Sequence, residues 1–155
     1  MAITQAMCTS FKAEVMLAVH DFRPTAQSGA STFKLALYTS SATLSAATTA
    51  YTATGETSGT NYTAGGAALT NVGVTIPTAV ACASFNNLTF SNVTLTARGA
   101  LIYNSTPKAN SNANTALTNP AVCVLDFGAD TTTTAGNFTI VFPAVTDTTA
   151  IIRIA

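Results

Sequence analysis

The sequence predicts an all-β protein: a jelly-roll-like antiparallel β-sandwich of about eight strands with one N-terminal α-helix. Three observations carry this expectation. Short runs with apolar residues at every second position recur along the chain, separated by Gly, Pro and Asn turn signals. Roughly one residue in five is Thr, whose branched Cβ favours strands and whose hydroxyl suits a solvent face without charge. Only the N-terminal stretch departs from the two-residue rhythm. With 155 residues the chain is long enough for one domain with a single core. The expected division is residues 1–24, a helix packed on the sandwich or reaching out as an arm, and residues 25–155, the β-sandwich.

Phe11, Val15, Ala18, Val19 and Phe22 recur at spacings of three and four, which predicts one apolar helix face. Ser10 is the expected N-cap, Lys12, Glu14 and Asp21 fall off the apolar face, and Pro24 ends the helix. His20, the only histidine, then sits near the helix C-terminus in a capping role. The first clear strand is TFKLALYT, residues 32–39. Residues 40–63 form a long polar excursion with a short helical turn near Leu44, and such loops are often contact surfaces. Gly65-Gly66 marks a turn, and a strand follows from Ala67 to Ile76, broken by Pro77. Val80 to Phe85 is the next strand.

Residues 88–105 read as two adjoining strands, with the change of pattern at Arg98-Gly99. Gly99 there suggests a bulge or a close backbone approach. The continuous apolar run Ala100–Tyr103 fits a central strand covered on both faces. A small-residue surface loop spans residues 104–119. Strands follow at residues 121–127 and 137–142, with a loop at 128–136 between them. AIIRIA, residues 150–155, is a last apolar strand tied into a sheet.

Charged residues make up 8% of the chain, the formal net charge is 0 and the mean hydropathy is +0.37. No apolar run reaches the roughly 20 residues of a membrane-spanning helix. The six basic residues do not cluster and are not interleaved with aromatics, which argues against nucleic acid as a partner. A neutral, Thr-rich surface is poor at steering charged ligands and suits packed subunit contacts. Cys8, Cys82 and Cys123 lack metal-ligand spacing and read as small buried hydrophobes. No secretory signal is visible, so synthesis in a reducing cytoplasm is expected. Five Asn-X-Thr triplets match a glycosylation acceptor, as accidents of so much Thr.

Paired carboxylates, nucleophile–base motifs and phosphate loops are absent from the sequence, so no enzyme activity, cofactor or metal is expected. Asp126, at a strand end, is expected to pair with Arg98 or Arg153, with the Arg98–Asp126 ion pair as the structural candidate. The long loops offer Tyr51, Tyr62, Pro107 and Lys108 as candidate subunit contacts.

Several stretches together resemble a family of small virion proteins from tailed bacteriophages. They are SFKAEVMLAVHDF, FKLALYTSSATL, TATGETSGTNYTAGGAALTN, TARGALIYNST, AVCVLDFGADTTTTAGNFTIVFP and AIIRIA, in this order over nearly the whole chain. The resemblance implies a virion component made in the host cytoplasm, and first of all a capsid decoration (cement) protein. Its partners would be the phage's major capsid protein and further copies of itself, as a homodimer or homotrimer. Neither nucleic acid nor membrane is implied. A tail, connector or fibre component is the alternative expectation. A surface glycan- or receptor-binding module, with Tyr51, Tyr62 and Tyr103 stacking on sugars, is another.

Overall fold

The structure, a computed structural model, describes residues 2–109 and 117–155. The strands are β1 (Ala6–Met7), β2 (Phe33–Tyr38), β3 (Ala67–Ala68), β4 (Asn71–Thr75), β5 (Ala81–Phe85), β6 (Leu88–Asn104), β7 (Ala121–Ile140) and β8 (Ile152–Ile154). The single helix among the described residues, α1, spans Thr9–Met16. Two antiparallel sheets result, one ordered β1-β7-β6-β2-β3 and the other β4-β5-β8. One core joins them, and Phe33 of the large sheet meets Phe85 of the small sheet at 5.5 Å between ring centroids. The chain is an all-β sandwich with one short helix, as its alternating apolar runs predict.

The middle of the large sheet explains why Ala100–Tyr103 is apolar at every position. Phe33, Leu35 and Leu37 of β2 lie in register with Asn104, Ile102 and Ala100 of β6. That face turns to the small sheet and α1, where Phe33 stacks on Phe22 at 4.3 Å. Ala36 and Tyr38 occupy the opposite face with Leu101 and Gly99. Residues 44–66 cover that side: Ile3 bridges Leu44, Tyr51 stacks on Tyr103 and the Tyr38 hydroxyl donates to Thr52 O. Leu35, Leu37, Leu101 and Ile102 are fully buried, and each such side chain contributes about 1.5–3 kcal/mol.

Several elements differ from the sequence expectation, each for a local reason. The helix stops at Met16, well before Pro24. Ala18 adopts φ 56°, Val19 N–H donates to Glu14 O and Ala18 N–H donates to Val15 O, which closes a Schellman motif. No Gly announces this end, because Ala takes the left-handed position at a cost of about 1–2 kcal/mol. Val19 and Phe22 therefore pack from a non-helical segment. Cys8, not Ser10, stands at the N-cap, and Ser10 Oγ has no hydrogen-bond partner.

Residues 88–104 form one bulged strand rather than two. The register shifts between Ala97 and Gly99, where a Cβ on Gly99 would meet Leu125 O and lie 3.0 Å from Ile3 Cγ2. The expected loop at 128–136 is instead part of β7, carried past a bulge at Gly128 (φ 80°). The expected strand 67–76 is two strands in two sheets: β3 pairs with β2, and β4 pairs with β5. Only Leu69 and Thr70 lie between them, with Leu69 N–H held by Phe33 O. Near Leu44 there is a turn closed by Thr48 N–H to Ser45 O, not a helix. Residues 110–116 of the small-residue loop lie outside the described residues.

Candidate functional site

The small sheet is longer than the core it covers. Its inner face follows from register: Val74, Ala83 and Ile152 form one cross-strand row, and Ala81 and Ile154 the next. Ala83 and Ile152 are buried against the core, whereas Val74 is 57% and Ile154 49% exposed. Opposite this overhang stand Phe11 and Val15 of α1, with Ala18 and Phe22 beyond its end. The two walls enclose an open groove of about 940 Å³. Met16, at 88% the most exposed large apolar side chain described, and Leu17 lie at the α1 end, where the Schellman turn leaves them outside. Val72 and Ile76 are also exposed, on and just beyond β4. Five of the seven exposed large hydrophobic residues described thus belong to α1's end or the small sheet, Ile76 follows directly on β4, and the seventh is Val141.

The rim is polar and carries both signs. Arg23 Nε contacts Asp21 Oδ2 at 2.8 Å, and the Arg23 backbone N–H also donates to Asp21. Partial burial works to raise the Asp21 carboxyl, but the bonds from Arg23 and the charges of Arg23 and Lys108 outweigh it and hold it below its ordinary range. Lys108 anchors the other side, its Nζ donating to Gly29 O and its backbone N–H to Val19 O. An apolar floor within a polar rim is the layout of a protein–protein contact.

Behind the groove lies a closed polar triad. Asn104 Nδ2, which can only donate, points at His20 Nδ1 at 3.1 Å; His20 Nε2–H therefore donates to Glu14 Oε2 at 2.7 Å. Burial pushes the imidazole pKa down, against the opposing pull of the Glu14 carboxylate, so the neutral ring is favoured. His20 is not a helix cap and Glu14 is not off the buried face. Glu14 is buried and ties α1 to β6 through His20. His20 is bonded to Asn104 on one side and to Glu14 on the other, which marks the three as a clamp on the groove wall.

The residues singled out in the sequence fall in three places. Lys108 lies on the groove rim, with Pro107 half-buried beside it. Tyr51 and Tyr62 are half-buried and turned inward around Glu56: Tyr51 OH donates to Oε2 at 2.6 Å, and Tyr62 OH donates to Oε1 at 2.8 Å. Gly65 N–H also donates to Oε1, at 2.7 Å. Burial first, and then the Glu56 charge, raise both phenols, Tyr51 to about 12. Tyr103 is buried with its hydroxyl on Gly65 O, so these rings pack inward and do not form the exposed sugar platform that was the alternative reading of them. Arg98 Nε contacts Asp126 Oδ1 at 2.9 Å across the β6–β7 bulge, and Asp126 Oδ1 also accepts Gly128 N–H. The three cysteines are buried free thiols, and burial, then the Glu14 charge, raises Cys8 to about 11.

Sequence reasoning missed the groove. Val72, Val74 and Ile76 alternate like any half-buried strand, and nothing in that rhythm tells a covered face from an overhanging one. Among the described residues no cluster of His, Cys, Asp and Glu suits a metal ion. No helix described is long and apolar enough to cross a membrane. No protein-family model, curated protein or solved structure matches the chain.

Proposed function

We propose that this chain is a decoration protein of a tailed-phage head, docking through the apolar groove on the outer surface of the assembled shell and bridging neighbouring capsid subunits. The observation that carries the docking surface is the apolar groove in which the exposed Val74 and Ile154 share a lining with Phe11 and Val15 of α1, with Met16 exposed at the end of that helix. Monomeric soluble domains rarely leave such a cluster uncovered without a partner. The phage assignment rests on the resemblance of the sequence stretches. The occupant is an apolar segment of the major capsid protein, flanked by polar groups of both signs that meet Asp21, Arg23 and Lys108. Stabilisation follows by mass action: a ligand that binds only the assembled shell stabilises it in proportion to the logarithm of concentration over Kd. Weak sites repeated over a particle act together once each copy touches two subunits.

The test is co-sedimentation of the purified protein with heads that lack it. The double variant Val74→Asp with Ile154→Asp places charge on the exposed overhang and leaves Ala83 and Ile152 in the core. Loss of two central apolar anchors is expected to cost about 2–4 kcal/mol of binding, roughly 30-fold or more in Kd. Equal binding by the double variant and the wild type contradicts the groove as the docking surface.

A further inference from the structure

The His20 imidazole is wholly buried just behind the groove, and the Glu14 side chain is 9% exposed. The Asn104 amide beside the ring is held at both ends. Its Oδ1 accepts Thr106 N–H at 3.0 Å, and its Nδ2 donates to Val19 O at 3.4 Å as well as to His20 Nδ1. Turning the amide over would strip Thr106 N–H of its acceptor and set Oδ1 against the Val19 carbonyl. The ring therefore meets a fixed donor at Nδ1 and an acceptor, Glu14 Oε2, at Nε2. Only one tautomer of the neutral imidazole satisfies both.

The elements around the ring offer little to a second proton. α1 presents Glu14 and Phe11, the segment beyond it presents Phe22, β2 presents Phe33 and β6 presents Asn104. The other charged groups nearby are engaged on the groove rim: Asp21 with Arg23, and Lys108 with Gly29 O. The Cys8 thiol, which feels the Glu14 charge, is held neutral by burial. Among the described residues the charge felt at the ring is that of Glu14, and burial outweighs it to lower the imidazole pKa. The same groups hold the groove wall. Val19 O accepts Lys108 N–H and Asn104 Nδ2, and Val19 N–H closes the end of α1 on Glu14 O.

We propose that Glu14, His20 and Asn104 form an acid-sensitive latch on the groove wall: a solvent proton added at His20 Nδ1 stands donor to donor against Asn104 Nδ2 and releases α1 and its terminal turn from β6. The latch is a property of the free chain and does not depend on what the groove holds. Linkage gives the sign. The open form takes up the proton at the ordinary histidine value of about 6.5, and the closed form only at a lower pH. The latch is therefore fully effective above about pH 6.5 and weakens as the pH falls below it. Opening gains up to about tenfold for each pH unit until the closed form's own value is reached.

Imidazole nitrogen NMR and amide hydrogen exchange on the intact chain, between pH 7.5 and 5.5, test the latch. The wild-type ring is expected to stay neutral, protonated on Nε2, to below the ordinary histidine value. The amides of Leu17 and Val19, corrected for intrinsic exchange, are expected to open about three- to tenfold more at pH 5.5 than at pH 7.5. Asn104→Asp changes the donor facing Nδ1 into an acceptor. That variant is expected to hold the protonated ring, to titrate above the ordinary value and to lose the opening in acid. If it fails to fold, the two wild-type readings decide. A wild-type ring that titrates at its ordinary value, or amides of Leu17 and Val19 that open equally at both pH values, overturns the inference. So does a folded Asn104→Asp variant that opens in acid as the wild type does.

Discussion

Replacing Gly66 by Ala is expected to unfold the protein or to lower its melting temperature by more than any other single methyl addition. Gly66 has φ 67°, and a Cβ there would press into the Leu35 carbonyl and lie 2.7 Å from Ala36 Cα. Both contacts are with the backbone of β2, the strand at the centre of the core, so neither can rotate away. Left-handed strain contributes about 1–2 kcal/mol, and separating two backbones adds a core disruption of about 3 kcal/mol or more. That sum is a large share of an ordinary stability of about 5–15 kcal/mol. Gly128→Ala is the matched control. Its φ is 80°, but nothing lies within 4 Å of the added Cβ. It should therefore show the strain alone, about 1–2 kcal/mol. Thermal and urea unfolding of both variants measure the difference, and equal destabilisation would contradict the close approach at β2.

Glu56→Ala is the second large effect. One carboxylate accepts Tyr51 OH, Tyr62 OH and Gly65 N–H, while the Tyr62 hydroxyl also accepts Leu37 N–H. The carboxylate holds the excursion of residues 40–63 and the turn before β3 onto the large sheet. Hydrogen bonds to a charged group contribute about 1.5–3 kcal/mol each, and partly buried donors left unpaired add to the loss. A net cost of about 3 kcal/mol is expected after water reaches part of the site. Hydrogen exchange should show early opening of residues 51–66 before the rest of the sheet. Glu56→Gln keeps the shape and part of the bonding, so it should cost less. A loss below about 1 kcal/mol for Glu56→Ala would mean that the tyrosines hold the excursion without it.

Glu56 also illustrates what the sequence could and could not disclose. Gly55-Glu56 is legible as a turn, but the carboxylate's partners come from Tyr51, Tyr62 and Gly65, brought together only when the excursion folds over β2. Local patterns with a single cause were legible. Ala100–Tyr103 is apolar at every position because both faces of β6 are covered there, and Ile152–Ile154 pairs with β5 as its apolar pattern predicts. Features set by long-range geometry were not. Ala18 ends α1 in a conformation that Gly usually supplies, so a helical rhythm running on to Phe22 concealed the stop. The crossing at Leu69 and Thr70 carries no breaker, because both flanking strands keep the same alternation. The groove depends on how far the small sheet overhangs the core, which no period of two encodes.

The same distinction bears on function. The low charge and abundant threonine point to packed contacts, and the groove is a surface on which to place them. The groove gathers aliphatic side chains within a mixed-charge rim. A decoration protein that touches two subunits at each site gains from the repetition of weak contacts over the particle.

Cryo-electron microscopy of intact virions carrying this chain tests the central claim most directly. Density for the chain is expected at symmetry-related positions over seams between capsid subunits, with α1 and the β4-β5-β8 sheet facing the shell. Density confined to the tail or portal, or a head that carries none, would contradict it.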